Sequence, residues 1–181
     1  MKVVAFAGYS GAGKTTLIER LIPLLRQQGQ RISVVKHAHH DFDIDQPGKD
    51  TWRHREAGAF EVVAASDRRL ALMREFEAPT ELSVHRLIAE LDHRVDWVMV
   101  EGFKRSDLPK IEIHRGTAAD RLAGAQQDVY DRFVLAIASD APQDIRPRAG
   151  VPVLDLNNLE AMARWLIDNG DRFEYKPELY E

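Results

Sequence analysis

The segment from Gly8 to Thr15 has the composition and spacing of a loop that binds phosphate. It matches the pattern G-x-x-x-x-G-K-[ST] at every required position. Glycines let the backbone curl so that several N–H groups point at one anion, and the lysine adds positive charge for the terminal phosphates. The threonine hydroxyl is a ligand for Mg²⁺. The segment therefore predicts a Walker A loop with the nucleotide-binding residues Ser10, Gly11, Ala12, Gly13, Lys14, Thr15 and Thr16.

A carboxylate that suits the same chemistry follows the apolar run Trp97–Val100, which we predict to be a strand. Phosphate-loop proteins hold Mg²⁺ with a carboxylate at the end of another central strand, often through water. Glu101 occupies that position, and Gly102 is small enough for its N–H to approach a terminal phosphate. We predict Lys14 and Glu101 as catalytic residues and Thr15 and Glu101 as metal ligands. The alternative is a solvent-facing glutamate at a strand end.

Imidazoles and carboxylates are concentrated in the segment from Lys36 to Asp45, where the histidines are His37, His39 and His40. Three interpretations stay open: a transition-metal site, a switch loop whose aspartates reach Mg²⁺ or position water, and a solvated polar loop. The histidine spacing alone is weak evidence, because fixed metal geometry needs three or four convergent ligands. Arg53 and Arg55 follow, either as a clamp for an anion or as part of a surface helix of mixed charge.

Asp140 is the candidate for recognition of a base. It follows the apolar run Phe133–Ala138, which we expect to be a central strand. Guanine presents two donors on one edge, and a carboxylate accepts both. The common guanine motif Asn/Thr-Lys-x-Asp does not occur in this chain. The alternative is a turn or helix cap, which the nearby Pro142 favours.

The elements that must position these residues alternate between short β-branched runs and helical patterns. This order predicts an α/β fold with a mainly parallel central sheet and helices on both faces. Ligands bind beyond the carboxyl ends of such strands, so the loops that begin at Gly8, His37, Glu101 and Ser139 are expected at one edge. The predicted strands are Val3–Ala7, Ile32–Val35, Phe60–Ala64, Leu70–Met73, Trp97–Val100, Ile111–His114, Phe133–Ala138 and Val151–Leu154. Thr80 is predicted to cap a helix that contains Leu87.

Length and composition limit the classes of protein that fit. The 181 residues predict one nucleoside-triphosphate-binding domain over residues 1–170, with a C-terminal tail at 171–181. A net charge of −4 argues against a protein that coats nucleic acid. The sequence has no cysteine, which excludes disulfides and thiolate zinc sites. The longest apolar run is far shorter than the roughly 20 residues that span a bilayer, so we expect no membrane segment and a cytoplasmic protein.

Four blocks of the sequence together resemble the molybdopterin-guanine dinucleotide biosynthesis protein B family, MobB. They are Gly8–Leu17, Val35–His40, Pro47–Ala59 and Val100–Lys104, in family order. The resemblance implies a P-loop NTPase fold and a GTP-binding homodimer with weak, Mg²⁺-dependent GTPase activity. It further implies an adaptor that assists the molybdenum cofactor guanylyltransferase when GMP is attached to molybdopterin, with molybdopterin or a molybdoenzyme as further partners.

Two alternatives from other functional classes remain open at this point. One is an ATP-dependent small-molecule kinase whose lid arginines are Arg146 and Arg148. The other is a metal-delivery GTPase that uses the His37–His40 loop. A purely structural partner of the transferase, for which hydrolysis is irrelevant, is a third possibility within the family interpretation.

Overall fold

A computed structural model of the chain describes residues 1–38, 42–116 and 131–179. The described strands are β1 (Lys2–Ala7), β2 (Ile32–Lys36), β3 (Glu61–Ala65), β4 (Leu70–Arg74), β5 (Trp97–Glu101), β6 (Lys110–His114), β7 (Val134–Ser139) and β8 (Val153–Asp155). The described α-helices are α1 (Lys14–Gln27), α2 (Asp50–Glu56), α3 (Val84–Ala89) and α4 (Leu159–Asp168). Short 3₁₀ helices cover Pro142–Asp144, Gly170–Phe173 and Pro177–Leu179. Among these elements, no helix is long and apolar enough to cross a membrane.

The chain divides into two compact units. Met1–His37 and Ser83–Glu181 form the larger unit, and Ala38–Leu82 forms the smaller one. The larger unit contains a six-stranded sheet in the order β2-β5-β1-β6-β7-β8, and every neighbouring pair is parallel. This confirms the predicted α/β fold. Because parallel strands share their direction, the loops after β1, β2, β5 and β7 all leave the same edge of the sheet.

The predicted central position of the run Phe133–Ala138 is wrong. The strand it forms, β7, is second from one edge, next to the short β8, whereas β5, β1 and β6 occupy the middle. Leu135 and Ile137 of β7 are only half-buried, while β1 is buried from Val3 to Ala7. An apolar run predicts that a strand is buried, but it does not predict which strands pair with it.

Two apolar layers cover the sheet of the larger unit. On one face, α1 and α4 pack their apolar sides against Val4 and Phe6. On the other face, α3 packs with Val3 and Ala5. Burial of each such aliphatic or aromatic side chain stabilises the fold by about 1.5–3 kcal/mol relative to leaving it exposed. The middle strands are therefore firmly held, and their carboxyl ends form a rigid base for the loops.

The start of α3 differs from the prediction. Ser83, not Thr80, is the N-cap, and its Oγ accepts a hydrogen bond from the Arg86 N–H at 3.2 Å. The Thr80 hydroxyl instead donates to the Ala78 carbonyl at 2.9 Å. Both residue types cap helices, but Ser83 stands directly before the first buried residue of the helix.

Part of the predicted C-terminal tail belongs to the core. Phe173 is fully buried and lies against Trp97, with 5.5 Å between ring centroids, and against the edge of Trp165. The Tyr175 N–H donates to the Met1 carbonyl at 3.1 Å, and its hydroxyl lies 2.9 Å from Nδ1 of His85. The packed core thus extends beyond residue 170, where the sequence places the end of the domain.

The smaller unit contains α2 and an antiparallel hairpin of β3 and β4, which are the strands predicted over Phe60–Ala64 and Leu70–Met73. The Ser66 hydroxyl accepts hydrogen bonds from the N–H groups of Arg68 and Arg69, at 3.2 and 3.1 Å. A serine at the start of a polar turn satisfies the backbone in this way. The hairpin turn is therefore encoded locally.

Candidate functional site

The loop between β1 and α1 has the backbone geometry that its glycines suggested. Gly11 and Gly13 have φ angles of +80° and +84°, and Gly8 has φ +151°. A Cβ on Gly8 would lie 2.9 Å from the Ile113 carbonyl oxygen, so only glycine fits there. The first hydrogen bond of α1 runs from the Leu17 N–H to the Gly13 carbonyl. The N–H groups of the preceding helical residues thus have no acceptor within the helix and form an anion-binding end.

Lys14 lies across this loop. Its Nζ donates to the carbonyl oxygens of Gly8 at 3.0 Å and Tyr9 at 2.7 Å. Burial lowers the pKa of Lys14; the Glu101 carboxylate opposes that shift, and the cations Lys104 and Lys36 add to it. An anion in the loop would relieve both the burial cost and the repulsion among the lysines.

The two residues that the sequence predicts as metal ligands are brought together. The Thr15 hydroxyl donates to Oε1 of Glu101 at 2.6 Å, although the residues are far apart in the chain. Lys36 Nζ lies 3.5 Å from the same oxygen, because β2 and β5 pair with Lys36 opposite Glu101. Glu101 is thus not a solvent-facing strand end: its side chain is only 12% exposed.

The loop after β5 is held against the end of β2. The His37 ring stacks on Phe103 with 4.6 Å between centroids, and the His37 N–H donates to the Glu101 carbonyl at 2.9 Å. Gly102 has φ +99°, and a Cβ there would lie 2.9 Å from Cβ of His37. The Gly102 N–H points to the Phe6 carbonyl at 3.5 Å. In this conformation Gly102 allows close packing, and its N–H faces β1.

Asp140 lies at the same edge, directly after β7, with a half-exposed side chain. Its backbone carbonyl accepts a hydrogen bond from Nδ2 of Asn157 at 3.2 Å, which links the loops after β7 and β8. The Ser139 hydroxyl, not the Asp140 carboxylate, accepts from the Ala141 N–H at 3.1 Å. Ser139 thus supports this turn, and recognition of guanine by Asp140 stays a prediction.

The histidine loop is only partly described, because His39 and His40 lie outside the described residues. His37 is engaged with Phe103. In the part of the chain that the structure describes, no group of three or more His, Cys, Asp or Glu residues is placed to hold a metal ion.

Arg55 is enclosed by carboxylates of the smaller unit. Its guanidinium donates to both oxygens of Asp43, at 3.0 and 3.1 Å, and lies 3.2 Å from Glu75 and 3.8 Å from Asp45. Its side chain is only 13% exposed. Arg53 is an exposed helix residue 3.9 Å from Asp50. These contacts favour the mixed-charge helix over the anion clamp.

The arginines proposed for a kinase lid bind backbone carbonyls. Arg146 donates to the carbonyls of Gln143 and Ile145. Arg148 donates to Val134 at 3.1 Å. Val134 is the first residue of β7, so it lies at the amino ends of the parallel strands, whereas the phosphate loop lies at their carboxyl ends. This position removes Arg148 from the candidates for a lid arginine.

In the described part of the chain, three cationic residues at the loop edge were not among the predicted site residues. Lys36 contacts Glu101, Lys104 Nζ lies 5.0 Å from the centroid of the Tyr9 ring, and Arg115 lies beside Gly13. Each follows or ends a strand that was correctly predicted. The signal in the sequence was a basic residue at the carboxyl end of a parallel strand.

The parallel sheet, the glycine loop after its first strand and the Lys14–Thr15–Glu101 arrangement define a protein of the P-loop NTPase type. Residues 3–140 match the family model MobB, described as molybdopterin guanine dinucleotide synthesis protein B. The chain therefore belongs to the MobB family, as the sequence resemblance predicted.

Relatives and solved structures agree with this assignment. The chain is 41% identical over 167 residues to the molybdopterin-guanine dinucleotide biosynthesis adapter protein of Escherichia coli K12, covering 92% of this chain and 91% of the relative. It is 39% identical over 165 residues to the protein of that name from Haemophilus influenzae, covering 91% and 86%. The crystal structure of Bacillus subtilis MobB has a TM-score of 0.72 at 22% identity, over 97% of this chain and 100% of that one. A MobB homolog from Bacillus stearothermophilus gives 0.67 at 24%, over 94% and 99%.

Proposed function

We propose that this chain binds GTP with Mg²⁺ and serves as an adaptor that assists the guanylyltransferase in attaching GMP to molybdopterin. The convergence of Lys14, Thr15 and Glu101 at one edge of the sheet carries the nucleotide part of the proposal. The adapter names of the relatives from Escherichia coli and Haemophilus influenzae support the molybdopterin part. We also propose a cytoplasmic homodimer, on the family resemblance alone.

The phosphate chain would lie in the loop from Gly8 to Gly13. The N–H groups at the start of α1 and the positive end of its dipole attract the phosphate oxygens. Lys14 Nζ would exchange the carbonyls of Gly8 and Tyr9 for phosphate oxygens, because a charge-assisted hydrogen bond is stronger than one to a neutral carbonyl. Lys36 and Lys104 add to the positive field around Lys14.

Mg²⁺ fits the pair formed by Thr15 and Glu101. Both present oxygen donors, the ligand type that Mg²⁺ prefers, and they already lie within hydrogen-bond distance of each other. When bound, the ion neutralises charge on the phosphates. Thr15 would bind it through its hydroxyl, and Glu101 directly or through a water molecule.

Hydrolysis is proposed to be slow. Glu101 is shared between Thr15 and Lys36, so it serves the metal position and not the activation of water. Transition-state stabilisation then comes from Lys14 and the loop N–H groups, which act on the charge of the transferred phosphoryl group.

Asp140 is proposed to select guanine. Its half-exposed carboxylate lies at the edge where the loop is found, and it can accept both donors of the guanine edge. Adenine offers a single donor there, so ATP leaves the carboxylate only partly satisfied. A site built on such pairing discriminates strongly against a base that lacks the donor.

Calorimetric titration with GTP and ATP in the presence of Mg²⁺ tests the nucleotide part. GTP is expected to bind at least about tenfold more tightly than ATP, with the Asp140→Asn variant losing that preference. Equal affinity of the wild-type protein for both nucleotides contradicts guanine recognition. The adaptor part is tested by the yield of guanine dinucleotide from purified guanylyltransferase, GTP and molybdopterin, which this protein is expected to increase.

A further inference from the structure

Arg115 is the first residue after β6, and its guanidinium lies against the phosphate loop. A Cβ placed on Gly13 would be 2.7 Å from Nη1 of Arg115, 3.3 Å from Cζ and 3.7 Å from Nε. Gly13 has φ +84° and is the last loop residue before Lys14. The guanidinium therefore reaches the backbone of the loop through the space that a side chain at position 13 would fill.

The register of the sheet explains how Arg115 arrives there. β6 is parallel to β1, with Ala7 opposite Glu112, so β6 continues beyond the point where β1 turns into the loop. The end of β6 is fixed by its pairing with β7, in which the buried residue His114 lies opposite Ser139. Arg115 follows this anchored end and is itself exposed to solvent.

The charge of Arg115 is not neutralised by the described part of the protein. Within residues 1–38, 42–116 and 131–179, no carboxylate lies within ion-pair distance of its guanidinium. It lies beside Gly13, the N-cap of α1, so the N–H groups that follow at the helix start add to a local field that favours an anion. A guanidinium presents donors in a planar fork that matches two oxygens of one phosphate.

We propose that Arg115 binds the phosphate chain of the nucleotide directly, as a charged ligand from the same chain that supplies the loop. This inference rests on the proposed nucleotide binding and adds a specific residue to it. It also gives Gly13 a second role, because any larger residue at that position would displace the guanidinium as well as strain the loop.

The test compares Arg115→Ala and Arg115→Lys with the wild-type protein, using two probes in the presence of Mg²⁺. One probe is GTP, and the other is inorganic tripolyphosphate, which carries the phosphates without ribose or base. Arg115→Ala is expected to weaken both by about tenfold or more and by a similar factor, because both lose a charge-assisted contact. Arg115→Lys is expected to restore part of the affinity for both, since it keeps the charge but not the planar fork.

Arg94→Ala is the matched control, because Arg94 is an exposed arginine paired with Asp92. It is expected to bind both probes like the wild-type protein. Unchanged affinity of the Arg115 variants overturns the inference and leaves the proposed function intact. A loss for GTP with none for tripolyphosphate also overturns it, because that pattern belongs to ribose or base contacts. A wild-type protein that binds neither probe contradicts the proposed function itself. If Arg115→Ala does not fold, the comparison of Arg115→Lys with the wild-type protein decides the question.

Discussion

The phosphate-loop edge of the larger unit and the Arg55 cluster of the smaller unit use the same kinds of side chain in opposite ways. At the loop edge, Lys14 and Lys36 lie near one carboxylate, that of Glu101. Among the described residues of the smaller unit, the Arg55 guanidinium is surrounded by the carboxylates of Asp43, Asp45 and Glu75. The first arrangement has spare positive charge and attracts an anion. The second uses up its positive charge within the protein and holds local structure.

Replacing Lys14 is expected to have the largest effect and tests whether the loop edge attracts an anion. Lys14→Ala deletes the half-buried cation that lies across the loop, so GTP affinity is expected to fall by about 100-fold. The free energy of unfolding is expected to change little, because the partners of Lys14 are two backbone carbonyls that water can reach once the side chain is gone. Calorimetry and urea unfolding measure the two effects separately.

Lys104→Ala is the control for that experiment. Lys104 contributes to the positive field but lies over the Tyr9 ring and not across the loop. Lys104→Ala is therefore expected to reduce GTP affinity by a factor several times smaller than Lys14→Ala does. Equal losses for the two variants would show that Lys14 acts only through the general field of the site.

Replacing Arg55 gives the opposite pattern. Arg55→Met keeps much of the volume but leaves the carboxylates of Asp43, Asp45 and Glu75 without their shared cation. The free energy of unfolding is expected to fall by about 2–3 kcal/mol, less than for a fully buried pair because two of the carboxylates are half-exposed. GTP affinity is expected to stay within about twofold, which corresponds to a few tenths of a kcal/mol.

Arg53→Met is the matched control, because Arg53 is an exposed arginine of the same helix. Its effect on stability is expected to stay within about 0.5 kcal/mol. If Arg55→Met instead weakened GTP binding without loss of stability, Arg55 would be an anion ligand and the two regions would not differ as described.

Replacing Glu101, the carboxylate at the loop edge, tests whether this side chain serves the metal position. Glu101→Gln keeps the shape of the side chain that accepts from Thr15 but removes its charge. With Mg²⁺, GTP affinity is expected to fall about tenfold, because a neutral amide is a poor ligand for the ion. In EDTA the variant is expected to equal or exceed the wild-type protein, because a negative charge near the phosphates is gone. A variant that responds to Mg²⁺ like the wild-type protein would remove Glu101 from the metal position.

The sequence predicts the loop edge better than the charges around it. The glycine spacing determines the turn after β1, and the apolar run before Glu101 determines a strand end. Because β1 and β5 are parallel neighbours in the sheet, with Phe6 opposite Glu101, Thr15 and Glu101 meet. Arg115 was not predicted, because its proximity to Gly13 follows from the register between β1 and β6, which no local pattern encodes.

The same limit explains the errors in the predicted fold. The position of β7, second from one edge of the sheet, depends on its long-range pairing with β6 and β8. Its apolar sequence predicts a buried strand but not the position of that strand in the sheet. The partners of Arg55 lie on both sides of it in the chain, at Asp43 and Glu75, so its immediate neighbours gave no sign of them. Phe173 follows a helix in a polar stretch, and only the fold shows that Trp97 and Trp165 enclose it.

The smallest expected effect concerns pH. The pKa of Lys14 in the folded protein is lowered from 10.5, mainly by burial, so the unfolded chain binds more protons than the folded one between the lowered value and 10.5. In that window the contribution of Lys14 to the free energy of unfolding therefore rises with pH, whereas GTP affinity falls because the neutral amine no longer attracts phosphate. Lys14→Met, which cannot titrate, is expected to lose both dependences. GTP affinity and the free energy of urea unfolding are measured from pH 8 upward for the wild-type protein and for Lys14→Met. The difference between the two proteins gives the pH dependence that Lys14 causes. Stability that falls with pH in this difference would mean that the loop stabilises the charged amine even without a nucleotide.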